Sequence, residues 1–151
     1  MDEAIVAYVK RKYNLLIGER TGENIKIALG TAIPESSPRT MLIRGRDMLT
    51  GLPKTVQISS LEVYDALTES VQTILDTVQA TLERTPPELV ADIIDQGLVM
   101  AGGGALLPGL DILLREETGL PVTVAEEPLL SVVQGVSQVL DNIDLLEKIS
   151  V

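Results

Sequence analysis

Three consecutive glycines, Gly102-Gly103-Gly104, follow the apolar run Leu98-Val99-Met100-Ala101 and precede Ala105-Leu106-Leu107-Pro108-Gly109-Leu110. The pattern predicts a short apolar strand, a turn without side chains, and then a helix over about Pro108 to Thr118. A turn stripped of side chains lets a flat ligand or a phosphate approach the backbone. The helix that follows adds free N–H groups and the positive end of its dipole. Such a turn suits a nucleotide. It serves equally as a tight strand-to-helix connection, and glycine-rich motifs carry many false positives.

Composition narrows the classes. The 151 residues are about one domain long. With no Phe, no Trp and only Tyr8, Tyr13 and Tyr64, the core has to be aliphatic. A hydrophobic content of 45% argues against intrinsic disorder. The net charge of −10 argues against a general affinity for nucleic acid or anionic lipid. Arg39, Arg44, Arg46 and Lys54 form a loose local exception. There is no Cys, so disulfides and thiolate metal sites are excluded, and no His, which removes any Ser-His-Asp triad. No run of 18 apolar residues occurs, and the N-terminus has no signal-peptide pattern. A cytosolic setting fits these features.

Apolar spacing at Ile5, Val6, Val9 and Tyr13 predicts a helix over 2–14, with acids in its first turn and bases in its last. Thr21 is expected to cap a second helix reaching about Leu29. Pro34 to Arg39 should be the least ordered loop. Thr40–Arg46 and Lys54–Ser59 alternate apolar and polar residues and predict a hairpin. Ser59 and Glu62 form a capping box, opening a helix to about Arg84 with a 3–4 apolar spacing. Thr85-Pro86-Pro87-Glu88 repeats the capping logic for a short helix ending near Gly97. After the glycine turn and its helix come a short strand, Val122–Val124, and a helix over about Pro128 to Leu140. A last turn or two covers Ile143 to Ile149. Strands alternating with helices imply an α/β fold. The Pro128–Leu140 helix carries Leu129, Leu130, Val132, Val133, Val136, Val139 and Leu140, more apolar surface than one-sided packing needs. One face is expected to await another lobe or a partner.

These residues together give the chain a resemblance to the C-terminal half of the MreB family, the bacterial actin homologues. Gly18-Glu19-Arg20-Thr21, Thr50-Gly51-Leu52-Pro53-Lys54, Thr85-Pro86-Pro87-Glu88-Leu89, Gly102 to Leu107, Gly109-Leu110-Asp111 and Glu126-Glu127-Pro128-Leu129 stand in family order at close to family spacing. The resemblance spans essentially the whole chain. It implies the second lobe of an actin-like ATPase, a ribonuclease H-like α/β fold. Residues 1–59 would be subdomain IIB, 60–125 subdomain IIA, and 126–151 a segment that belongs to subdomain IA.

The resemblance also assigns candidate site residues. Gly102, Gly103, Gly104 and Ala105 match the adenosine motif, where a side chain at Gly103 should obstruct a purine. Glu23, Asn24, Ile25 and Lys26 match the helix that flanks the nucleoside. Read without the resemblance, Glu23 and Lys26 are an exposed i, i+3 ion pair. Asp92, Asp95 and Asp111 read as a helix face, a helix end and a solvated surface rather than a metal site. Glu116, Glu117, Glu126 and Glu127 read as a solvated acidic face. The family's cofactor is ATP with Mg²⁺, which this chain need not bind alone, because both phosphate loops and the Mg²⁺ ligands are expected upstream. The chain alone is therefore expected to be inactive as an ATPase.

The implied function is part of an ATP-dependent filament that determines bacterial rod shape. The implied location is cytoplasmic, with filaments under the membrane. The implied partners are other subunits, a RodZ-like membrane adaptor and the wall-synthesis machinery; nucleic acid is not among them, and this half would meet the membrane only indirectly. The alternative is a stand-alone short binding module that modulates full-length filaments. A superfamily phosphotransferase fits least, since no residue here can serve as phosphate cradle or catalytic base.

Overall fold

The computed structural model describes residues 1–141. Helix α1, Asp2–Tyr13, buries Ile5 and Val9 and ends on Asn14 in the left-handed conformation, which asparagine tolerates. Strand β1, Leu15–Leu16, leads into helix α2, Glu19–Leu29. The hairpin β2, Thr40–Asp47, and β3, Pro53–Ser59, pairs antiparallel with Ile43 opposite Val56. β1 adds to its free edge, giving the order β1-β2-β3.

Helix α3, Ser60–Arg84, starts on the expected capping box: the Ser59 side chain accepts from the Glu62 amide, and the Ser59 amide donates to the Glu62 carboxylate. It buries Val63, Leu67, Val71 and Leu75, a 4-4-4 stripe along one face. Helix α4, Pro87–Gln96, leads to strand β4, Leu98–Met100. Helix α5, Leu110–Thr118, then crosses to strand β5, Val122–Val124, which lies parallel to β4. Helix α6, Ser131–Asp141, ends the described chain. One aliphatic core joins α1, α2, the three-stranded sheet, α3 and α5, with Ile5, Val9, Leu15, Ile25, Ile58, Val63 and Leu67 wholly inaccessible. Removing a side chain such as Leu67 to Ala costs roughly 2–5 kcal/mol.

Several sequence expectations need correction. Helix α2 begins at Glu19 on Gly18, so Thr21 lies inside its first turn rather than capping it. Thr85 terminates α3 and spends its hydroxyl on the Thr81 carbonyl, leaving Pro86 as the cap residue of α4. The glycines do not open a helix directly. Gly103–Leu106 forms a single 3-10 turn, and α5 starts only at Leu110. Pro108 and the left-handed Gly109 separate the two. The loop over 34–39 carries more anchors than its composition suggests: the Arg39 guanidinium donates to the Glu35 carboxylate and, at 2.6 Å, to the Ala28 carbonyl. With Arg39 on Glu35 and Lys54 on Asp47, the loose basic cluster is half neutralised. The turns expected over Ile143 to Ile149 lie outside the described residues.

Candidate nucleotide-binding site

A cavity of about 350 Å³ opens between α2 and the glycine turn. Glu23, Lys26 and Ile27 form one wall, Gly103 and Gly104 another. Met1, Leu106, Leu107, Pro108 and Leu129 complete it. The size is within the range of about 300–1,000 Å³ common for small-molecule sites.

The two walls are fastened together just behind the cavity. The Ala32 amide donates to the Pro108 carbonyl at 2.8 Å, and the hydroxyl of buried Thr31, which donates locally to the Ile33 carbonyl at 2.6 Å, also lies 3.4 Å from the Pro108 carbonyl. Gly109, with φ +82°, lets the 107–109 segment lie directly on Ile33; a Cβ there would sit 2.6 Å from Ile33 Cγ1. The glycine turn is fixed from its other side by the Gly102 amide, which donates to the Pro128 carbonyl at 2.7 Å. Gly102 has φ +80°, a conformation suited to glycine alone. Ala105 is buried, its amide turned back to the Gly102 carbonyl. Gly103 and Gly104 open the 3-10 turn, and among the described residues their amides have no backbone acceptor outside it.

The predicted residues therefore separate by geometry. Glu23, Lys26, Gly103 and Gly104 meet at one cavity, although 76 residues of chain lie between the two groups. Asn24 and Ile25 do not line it. Ile25 is wholly buried in the core, and Asn24 is on the exposed side of α2. Helical spacing explains this: positions 23, 26 and 27 share a face, and 24 and 25 do not. The same spacing is the signal that could have found Ile27. A Cβ on Gly103 would meet only Leu129 Cδ2 at 3.5 Å, whereas one on Gly104 meets nothing within 4 Å. The surrounding chain therefore has room for a Cβ at either glycine of the cavity wall.

The charges are also rearranged. Lys26 does not pair with Glu23. Its ammonium lies 2.8 Å from Asp2 Oδ1 and donates to Asp2 Oδ2 at 3.0 Å, joining α2 to the start of α1. A wider, shallower hollow of about 620 Å³ lies beside the cavity, bordered by Asp2, Glu3, Glu19, Arg20 and Glu23. Its carboxylates make it a poor place for a phosphate. Among the described residues no three Asp or Glu side chains gather to hold a metal ion, and Asp111 instead lies 3.6 Å from Arg115. No described helix is long and apolar enough to cross a membrane.

Comparison with known proteins shows the family. A family model described as MreB/Mbl protein matches residues 1–148. The chain belongs to the MreB/Mbl family. It is 54% identical over 147 residues to the cell shape-determining protein Mbl of Bacillus subtilis, covering 97% of this chain and 44% of that protein. Identity to the cell shape-determining protein MreB of Escherichia coli is 47% over 144 residues, 95% of this chain and 42% of that one. The chain thus spans less than half the length of these relatives. Among solved structures, MreB5 of Spiroplasma citri bound to ADP superposes with a TM-score of 0.90 at 35% identity, over 99% of this chain and 45% of that one. The fold is therefore the actin-like α/β fold of MreB proteins.

Proposed function

We propose that this chain forms the second lobe of an actin-like, nucleotide-dependent filament protein that sets bacterial cell shape. The observation that carries the reading is the convergence of Glu23 and Lys26 with Gly103 and Gly104 on one cavity. The cell-shape role is supported by relatives named for it at 47% and 54% identity. Nucleotide binding is supported by the MreB5 structures with ADP and with AMPPNP.

The residues present suit a nucleoside. Ile27, Leu106 and Leu129 give a flat base an apolar surface, and the bare backbone of Gly103 and Gly104 lets it lie close. Glu23 accepts from ribose hydroxyls or an exocyclic amine, and Lys26 donates to ring nitrogens or hydroxyls. The phosphates leave toward elements outside this chain, and with them the Mg²⁺; the nucleotide's hydrolysis would supply the energy for polymer turnover. In this reading residues 1–59 are subdomain IIB, 60–125 subdomain IIA, and 126–151 cross to subdomain IA. The subunit, adaptor and wall-synthesis contacts, and the placement of filaments beneath the membrane, belong to the assembled protein.

Calorimetric titration of the monomeric chain with ADP tests the site. Binding in the micromolar range that Gly104→Val removes, without loss of thermal stability, is the expected result. Absence of binding at millimolar ligand overturns the cavity as a nucleoside site of this chain.

A further inference from the structure

We infer that Asp2 is a positioning and specificity residue for nucleoside recognition, acting through Lys26. The inference rests on the reading of the α2–glycine-turn cavity as the nucleoside site. A lysine at a cavity wall has a flexible four-carbon stem and a compact charge that favours phosphate. Here both features are restrained. The two carboxylate oxygens of Asp2 lie 2.8 and 3.0 Å from the Lys26 ammonium, and the two side chains are only 37% and 26% exposed.

Asp2 is itself held on a fixed element. Helix α1 buries Ile5 and Val9 completely, and its far end is tied to α3 where Lys12 lies 2.9 Å from the Glu62 carboxylate. The ammonium is thereby oriented, with donor capacity left for a ligand and its charge offset. Glu23 adds a further carboxylate on the same wall. The cavity then accepts an uncharged base and sugar and rejects an inorganic phosphate. Asp2→Asn removes the offset and releases the stem, leaving a mobile cation that attracts phosphates instead.

The test titrates the chain with two probes, adenosine and pyrophosphate. The wild-type chain is expected to prefer adenosine. Asp2→Asn should weaken adenosine about five- to tenfold and strengthen pyrophosphate several-fold, and Asp2→Glu should restore the original order. Lys26→Met should weaken adenosine without any gain for pyrophosphate. Adding Asp2→Asn to it should change neither affinity further, because Asp2 acts only through the ammonium. A merely structural role for Asp2 would weaken both probes in parallel with thermal stability, and that result overturns the inference. An unchanged preference in Asp2→Asn overturns it too, while leaving the site intact. If the wild-type chain binds no adenosine at all, the reading of the site fails and the inference with it. Should Asp2→Asn not fold, Asp2→Ser in the Lys26→Met background, compared with Asp2→Ser alone, decides the coupling.

Discussion

The Tyr13 hydroxyl, at the last residue of α1, donates to the carboxylate of Glu62 in the first turn of α3. Lys12 and the Ser59 hydroxyl reach the same carboxylate, at 2.9 and 2.8 Å. One carboxylate thus caps α3 and ties α1 to it.

That junction makes stability depend on pH at both extremes. Burial opposes the charge on Glu62, but the hydrogen bonds from Tyr13, Lys12 and Ser59 outweigh it and hold the carboxyl down to about 2, against 4.5 when free. Its contribution is therefore complete above about 4.5 and lost as pH falls from there toward 2. Tyr13 moves the other way, pushed up to about 12 by burial and by its bond to Glu62. Its contribution is complete below its ordinary value of 10 and is lost as pH rises through 12. Glu62→Gln should cost about 1–2 kcal/mol at neutral pH, the scale of a cap and a charged hydrogen bond. It should also flatten the acid limb of melting temperature against pH between 4.5 and 2. An acid limb identical to wild type would show that the junction does not carry this dependence.

Gly109 and Gly104 should respond unequally to alanine. Gly109 has φ +82° and would place its Cβ 2.6 Å from Ile33 Cγ1, so Gly109→Ala combines backbone strain of about 1–2 kcal/mol with a steric cost. Gly104 has no unusual φ and open space around the added carbon, so Gly104→Ala should change stability by less than about 0.5 kcal/mol. Urea unfolding of the two variants measures the contrast. Equal destabilisation would contradict the geometry of the 107–109 clamp.

The Asp47 side chain gathers three partners at the hairpin turn. Its carboxylate accepts the amides of Leu49 and Thr50 at 2.8 and 3.0 Å and pairs with Lys54 at 2.9 Å. Lys54 foremost, then these amides, hold it down to about 2. Lys54 also donates to the Tyr13 carbonyl at 3.0 Å, fixing the hairpin to the end of α1. Asp47→Ala should speed hydrogen exchange at Leu49 and Thr50 several-fold while the α3 amides keep their protection. Lost protection in α3 would mean that the hairpin is coupled to the core more widely than these bonds imply.

Where local chemistry decides structure, the sequence is readable. Ser59 and Glu62 announce the start of α3, and the stripe Val63, Leu67, Val71, Leu75 fixes the face it buries. The paired strands follow from alternation on either side of the Asp47–Leu52 turn, which carries Gly51. The two-residue strand β1 has no period to detect and exists only because β2 offers an edge. At the site, the glycines and the Glu23–Lys26 helix are legible, but the motif runs through consecutive residues while a helix presents residues three and four apart. Asn24 and Ile25 therefore fall outside the cavity and Ile27 inside it. The partner of Lys26 lies 24 residues away on another helix, a relationship that only the packing of α1 on α2 creates.

The last expectation concerns α6. None of its residues is buried, and Val133, Val136 and Leu140 are 67%, 54% and 67% exposed at a 3-4 spacing that aligns them on one face. Among the described residues that stripe has no cover, and contiguous apolar surface of this kind drives association. Sedimentation of the chain should show association that grows with concentration. The double substitution Val133→Lys with Val136→Lys should shift it to monomer. Because neither side chain contributes to the core, the melting temperature of the dilute protein should stay within a degree or two of wild type. A large fall in melting temperature would mean that α6 packs on the body of the chain, and the stripe would then be part of the core rather than a surface awaiting its cover.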